Sequence, residues 1–272
     1  MEISREHTQG QGTNLSLRDE IKAYWSQRAA TFDEAPGHEI FSEEERRAWH
    51  ELFLRHLGPG EGRSALDLAS GTGVISHLMD DLGFQVTGLD WSEPMLERAR
   101  AKARERGRSI RFRIADAENT MEPDASFDAI VTRHLVWTLV DPQASFAEWF
   151  RILRPGGRLL VVDGDFVNAG LRERVVKKIE AMLQKAGFVD AGKPHAQGAS
   201  PEVFRSILSR VYFSGGARAE TVAGLLRSAG FSPVVVDTNL RSIHRNQARH
   251  LDFWKALGRG FQHRYAILAV KP

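Results

Sequence analysis

Residues 65–90 constrain the fold more than any other stretch. Ala65-Leu66-Asp67-Leu68-Ala69 is apolar, short and bounded, which suits a buried strand. It runs into Ser70-Gly71-Thr72-Gly73-Val74, a two-glycine turn that opens a helix reaching Leu82. Glycines allow close backbone approach to a ligand, and a helix start offers unpaired N–H groups. Gln85 to Asp90 then reads as a second strand that ends on an acid. Strand, glycine turn, helix and strand in this order predict a βαβ unit with parallel strands and a right-handed crossover.

The rhythm continues downstream. Glu93 to Arg106 predicts a helix with Pro94 in its tolerant first turn, and Gln143 to Leu153 another, closed by Pro155-Gly156-Gly157. Ile110–Ile114, Phe127–Thr132 and Arg158–Asp163 predict three further strands. After a mainly helical stretch over 166–210, Ala219–Ala229 predicts a helix, and Val234–Asp237 and Tyr265–Val270 two late strands. Upstream, apolar residues recur at helical spacing over 17–33 (Leu17, Ile21, Tyr24, Trp25, Phe32) and 42–57 (Trp49, Leu52, Phe53, Leu57), with Ser42 placed as an N-cap. The fold class expected is α/β: a Rossmann-like three-layer sandwich with a mostly parallel sheet. The expected division is an N-terminal arm and lid helices over 1–60, a cofactor-binding core over 61–165, a helical lid over 166–217 and a completion of the sheet over 218–272. Residues 1–16 read as a polar arm, and Ser214-Gly215-Gly216 as a hinge.

Composition removes several function classes. At 272 residues, 42% hydrophobic and 26% charged, the chain has the makeup of one enlarged globular domain. It has no cysteine, which excludes disulfides, thiolate metal sites and cysteine nucleophiles. The polar, acid-containing N-terminus lacks the apolar core of a secretory signal, and no apolar run is long enough for a bilayer span, so a cytoplasmic protein is expected. The net charge of +2 conceals a bias: 11 of the 37 basic residues, but 3 of the 35 acidic ones, lie from Arg205 onward. Arg241, His244, Arg245, Arg249 and His250 give that region its basic character. It lacks the interleaved aromatics of a single-strand nucleic-acid platform, and a solvated basic face is the expected reading.

The glycine turn and Asp90 together suit a nucleoside, because a carboxylate at that strand end can accept from both ribose hydroxyls. A dinucleotide site would favour a third glycine where Ser76 stands, and Asp67 would repel a pyrophosphate but suit an ammonium. The residues therefore point to a nucleoside carrying an amino-acid group; a plain turn without a ligand is the alternative.

The run from Asp67 to Gly73 resembles the E/D-x-G-x-G-x-G motif of class I S-adenosylmethionine-dependent methyltransferases, with Ala69 in place of the first glycine. Asp90-Trp91-Ser92, Ala115-Asp116-Ala117-Glu118, Phe127-Asp128-Ala129-Ile130-Val131 and Leu153-Arg154-Pro155-Gly156-Gly157 are similar to successive family segments. The likeness covers roughly residues 20–165 and returns in the last strands. It is nearest to the small-molecule, ubiquinone/menaquinone-methyltransferase-like type. It implies a seven-stranded sheet with the last strand antiparallel, and S-adenosyl-L-methionine as the cofactor. It further implies that Asp67 and the backbone of Ala69, Ser70, Gly71 and Gly73 hold the methionine part and Asp90 the ribose. Trp91 would lie against adenine, with Asp116 and Ala117 at its edge. Trp25 and Arg28, in Tyr24-Trp25-Ser26-Gln27-Arg28, would approach the cofactor carboxylate, a group that the guanidinium fork matches.

Chemistry should occur just beyond the fourth strand, at Thr132-Arg133-His134-Leu135. His134 is the candidate general base. Arg133 is a candidate for holding cofactor or an anionic substrate, Trp137 for walling the site, and Asp163 and Asp165 for binding a substrate amine or the base's proton. Each has a plainer structural alternative. No clustered metal-ligand spacing is present, so no metal is expected. The Thr-Arg-His-Leu end departs from the Asn/Asp-Pro-Pro-Tyr/Phe of amino-methylating enzymes. A small-molecule acceptor is the leading expectation. An RNA or protein methyltransferase of the same fold, or a non-catalytic cofactor-binding module, are the alternatives; nucleic acid is the less favoured partner.

Overall fold

The computed structural model describes residues 16–168, 170–186 and 200–272. All of the expected arm except Ser16 lies outside them. In chain order the helices are α1 (Leu17–Arg28), α2 (Glu43–Leu57), α3 (Val74–Asp81), α4 (Glu93–Glu105), α5 (Pro142–Ile152), α6 (Leu171–Lys185), α7 (Pro201–Leu208), α8 (Ala219–Ser228), α9 (Arg241–Ala248) and α10 (Phe253–Arg259). The strands are β1 (Ser64–Leu68), β2 (Gln85–Asp90), β3 (Arg111–Ile114), β4 (Phe127–Arg133), β5 (Leu153–Gly164), β6 (Val234–Asp237) and β7 (Arg264–Val270). They form one seven-stranded sheet in the order β3-β2-β1-β4-β5-β7-β6. β7 runs antiparallel to both neighbours; the other pairings are parallel.

The alternation of side chains along each strand explains the three layers. Leu66, Leu68, Ile130, Leu159, Val161, Tyr265 and Ile267 face one way, onto Phe146 and Trp149 of α5 and Val222 and Leu226 of α8. Ala65, Ala129, Val131, Leu160, Val162 and Ala266 face the other, onto Trp49 and Phe53 of α2, Ile75 and Met79 of α3, and Ile243 of α9. A strand buried on both faces reads as a continuous apolar run, as β1, β4 and β5 do. Caps set the helix starts: the Ser16 hydroxyl accepts from Asp19 N while Asp19 accepts from Ser16 N, and Ser42, Ser92 and Asp141 cap α2, α4 and α5.

Three details depart from the sequence expectations. The first helix ends at Arg28, and residues 29–34 tighten into a 3-10 turn. β5 begins at Leu153 rather than Arg158: Leu153 already pairs with Phe127, and the register shifts before Arg158 meets Ala129. α9 and α10 replace what reads as a basic connection. At eight and seven residues they are too short to show a helical period, and tertiary contact holds them, including a 3.0 Å bond from Gln247 Nε2 to buried Glu45. In consequence His244 is not part of a solvated basic face: it is half-buried, and burial with Arg264 and Arg259 nearby pushes its pKa down to about 3. Arg241, Arg245, Arg249 and His250 are exposed.

Candidate active site

The sheet order reverses direction between β1 and β4, and a crevice opens there at the carboxyl ends of the strands. It holds a cavity of 990 Å³, counted to its open mouth. Asp67 projects to the α3 side of the sheet and is buried, accepting a 2.6 Å bond from the Ser76 hydroxyl. Burial lifts its pKa to about 7. The chain then turns through Ala69, Ser70 and Gly71, all on the cavity wall. Ser70 N donates to Leu89 O and Gly71 N to Asp90 Oδ2, so the end of β2 fixes the loop's shape. Asp90 takes Ser92 N on its other oxygen at 2.8 Å. It is 8% exposed, and burial raises its pKa to about 6.

Ala69, where the family motif has glycine, sits at φ +56°. An L-residue in that region costs ~1–2 kcal/mol. Ala69→Gly is therefore expected to raise Tm by about 2–4 °C, the size of ~1 kcal/mol in a chain of this length; a lowered Tm by calorimetry would show that the loop gains nothing from glycine. Gly73 needs to be glycine for a different reason. Its φ is +82°, and a Cβ there would come within 3.1 Å of Phe112 and Ala99. It packs α3 against its surroundings and does not line the cavity.

Trp91, Asp116 and Ala117 also line the cavity. Asp116 is already engaged: Oδ1 accepts from Glu118 N at 2.9 Å and Oδ2 from Arg18 Nη1 at 2.6 Å. A carboxylate has about four acceptor positions, so Asp116 retains capacity for a ligand amine. Arg18 reaches Glu118 with its second nitrogen at 2.9 Å, and Glu118 in turn accepts from Val140 N and Asp141 N. Helix α1 is thus tied to the loop after β3 through one guanidinium. Neither Arg18 nor the role of Glu118 carries a sequence signal, because the partners lie 98 and 100 residues apart.

Trp25 and His134 stand on the cavity wall; Arg28 and Asp163 do not. The Arg28 guanidinium lies 5.5 Å and 5.7 Å from the ring centroids of Tyr24 and Trp25 and donates to the Tyr24 hydroxyl at 3.2 Å. Asp163 is fully buried beneath the site, where its carboxylate accepts Val136 N and Gly164 N at 2.8 Å and braces the turn after β4. Burial lifts its pKa to about 7. Asp165, also buried, accepts from Val167 N and Asn168 N and shapes its own loop. Trp137 is buried in the core and meets Trp25 edge-on at 6.2 Å.

Arg133 lines the cavity, yet its guanidinium is spent on the segment before α2: it donates to Gly37 O at 3.0 Å and His38 O at 3.2 Å, while Arg259 donates to Pro36 O at 3.1 Å. That grip brings His38 to the cavity wall, a residue the sequence reading did not single out. His38 stacks on Phe32 at 4.2 Å, bonds Phe32 O through Nδ1, and is pushed to a pKa of about 4 by burial and by Arg133.

His134 is backbone-strained at φ +59°, a conformation histidine adopts more readily than most side chains. Burial and the Arg264 charge hold its pKa well below 6.5, so the imidazole is neutral at neutral pH. Its Nδ1 is buried without a hydrogen-bond partner, 4.0 Å from Asp163. Ser70 Oγ is likewise buried and unpartnered. Buried polar atoms are seldom left unpaired, so two of them on one cavity wall, beside a buried acid and strained backbone, fit a polar ligand. Among the described residues no group of three or more metal-ligating side chains gathers.

Comparison with known proteins agrees with this geometry. Residues 66–161 match the family described as a methyltransferase domain. The chain is 40% identical over 100 residues to a demethylmenaquinone methyltransferase of Thermus thermophilus, a match covering 36% of this chain and 46% of that protein. It is 31% identical over 223 residues to the demethylmenaquinone methyltransferase of Clavibacter sepedonicus, covering 80% and 87%. The fold is shared with phosphoethanolamine N-methyltransferase 2 of Haemonchus contortus, solved with S-adenosyl-L-methionine, at a TM-score of 0.65 and 17% identity over 96% of this chain and 61% of that one.

Proposed function

The chain belongs to the class I S-adenosylmethionine-dependent methyltransferases, and from that membership we propose that it methylates a small ring-bearing acceptor of the quinone class in the cytoplasm. The observation that carries the reading is the pairing of a crevice bordered by the glycine turn and Asp90 with a neutral, partly buried His134 on its wall. When bound, S-adenosylmethionine supplies an electrophilic methyl group. The chain's own work is to hold that cofactor and the acceptor in line and dry. Asp67 would face the cofactor ammonium, Asp90 the ribose hydroxyls, and Asp116 the adenine edge. Trp25 and Phe32 give the cavity apolar walls. His134, uncharged and on the cavity wall, would take the proton of an acceptor hydroxyl, and Asp163 would position the His134 turn from below. Arg133 positions the Pro36–His38 segment as a wall. The described parts of segments 1–60 and 166–217 serve in this reading as lids that select the acceptor.

The test is turnover with demethylmenaquinone analogues, beside calorimetry with S-adenosylhomocysteine. His134→Asn, which tolerates positive φ, should lower kcat about 10²–10⁴-fold, the usual contribution of a general base, with the affinity for S-adenosylhomocysteine unchanged. Unchanged kcat would remove His134 from the chemistry; binding without turnover on any acceptor would make the protein a cofactor-binding module.

A further inference from the structure

Helix α6 has an unusual exposed face. Leu171, Val175, Ile179 and Met182, spaced by four, four and three residues, form one stripe, and they are 71%, 49%, 41% and 66% exposed. The opposite face is used for packing: Glu173 and Val176 are buried, and α6 lies against α10. Among the described residues the stripe is therefore not used in packing. Its flank is cationic. Arg174, Lys178 and Lys185 follow one another along one edge and Arg172 borders the other, all exposed. The acids on the helix do not offset them outward, since Glu173 is buried and paired with Lys177 at 2.7 Å, and Glu180 is partly buried. Among the described residues no helix is long and apolar enough to cross a membrane. An apolar stripe bordered by lysine and arginine on a helix of this length has the makeup of one that lies in the plane of a bilayer surface.

We infer that α6 docks the protein onto an anionic lipid surface, with the stripe entering the acyl boundary and the flanking cations meeting lipid phosphates. The charge pattern commits the occupant: a second copy of this chain would bring the same row of cations against itself, whereas an anionic bilayer neutralises it. The docking stands apart from the choice of methyl acceptor, and its test uses no turnover.

The full-length protein is sedimented with vesicles of phosphatidylglycerol and phosphatidylcholine in equal parts, and with phosphatidylcholine alone. Binding is expected to the anionic vesicles, at least about tenfold weaker to the neutral ones, and reversed at 1 M salt, where the Debye length shrinks to about 3 Å. The double variant Val175→Glu, Ile179→Glu and the pair Lys178→Glu, Lys185→Glu should each lose binding. Both alter exposed positions, so Tm and affinity for S-adenosylhomocysteine should stay at wild-type values. Wild-type protein left in the supernatant, or variants that still sediment, would overturn the inference. So would a concentration-dependent dimer in sedimentation velocity that the Val175→Glu, Ile179→Glu variant abolishes, because the stripe would then belong to a second copy.

Discussion

Binding of S-adenosylmethionine at pH 6 is expected to release protons, and Asp67→Asn should remove the larger share of that release, the rest coming from Asp90 with its pKa of about 6. The cause is burial. Without ligand, the Asp67 carboxyl has one neutral donor, Ser76, and a pKa of about 7, so about nine-tenths of it is protonated at pH 6. A ligand ammonium favours the carboxylate and lowers that value. The sign follows: below pH 7 binding must expel the proton, affinity climbs about tenfold per pH unit, and above pH 7 it levels off. Calorimetry at pH 6 in two buffers of different ionisation enthalpy reads the proton directly. At pH 8 the asparagine variant should bind about 10–100-fold more weakly, the worth of ~1.5–3 kcal/mol for a hydrogen bond to a charged group. A proton count near zero in wild type would mean that no ammonium meets Asp67. The free protein shows the counterpart. Asp67, Asp90 and Asp163, with pKa values of about 7, 6 and 7, hold protons that the unfolded chain gives up near pH 4. The stability they contribute is full below pH 4 and is lost as pH rises through 6 to 7.

Asp90→Asn should weaken S-adenosylhomocysteine binding about 10²–10³-fold, ~3–4 kcal/mol, while the protein stays folded. Asp90 performs two tasks at once. Its oxygens hold Gly71 N and Ser92 N at 2.9 Å and 2.8 Å, and its remaining lone pairs face the cavity. Asparagine has one oxygen and an amide that donates, so one of the two backbone N–H groups would meet another donor. The glycine turn would lose its anchor, and the ribose its paired acceptor. Affinity within a factor of three of wild type would remove Asp90 from the ribose.

What could be read from the sequence divides by range. The strand–turn–helix unit, Asp67, the glycine turn and Asp90 fall within residues 65–90, where spacing alone carries the geometry. The seven-stranded sheet with its reversed β7 followed from the resemblance and is present. Long-range partnerships were not legible. Arg18 looks like any surface arginine until α1 is laid over the loop after β3. His38 reaches the cavity because Arg133 and Arg259 hold three consecutive carbonyls, which no local pattern announces. Asp163 illustrates the converse. Its place at the end of β5 suggested a site residue, but the turn at Val136 has unsatisfied N–H groups that claim it from beneath. α9 and α10 were missed because contact with α2 and α6 holds them, not internal periodicity.

The Arg18 bridge has a consequence for timing. The loop after β3 and helix α1 are joined by two ion pairs, and Arg18 keeps 37% of its side chain in water. In the proposed reading a spent nucleoside that leaves past α1 would have to break both pairs. The Arg18–Asp116 pair is partly exposed and so is weakened by dissolved salt, whereas the Glu118 end is buried. In the proposed reading the dwell time of the product should shorten as salt rises, separately from the buried groups that decide how tightly it is held.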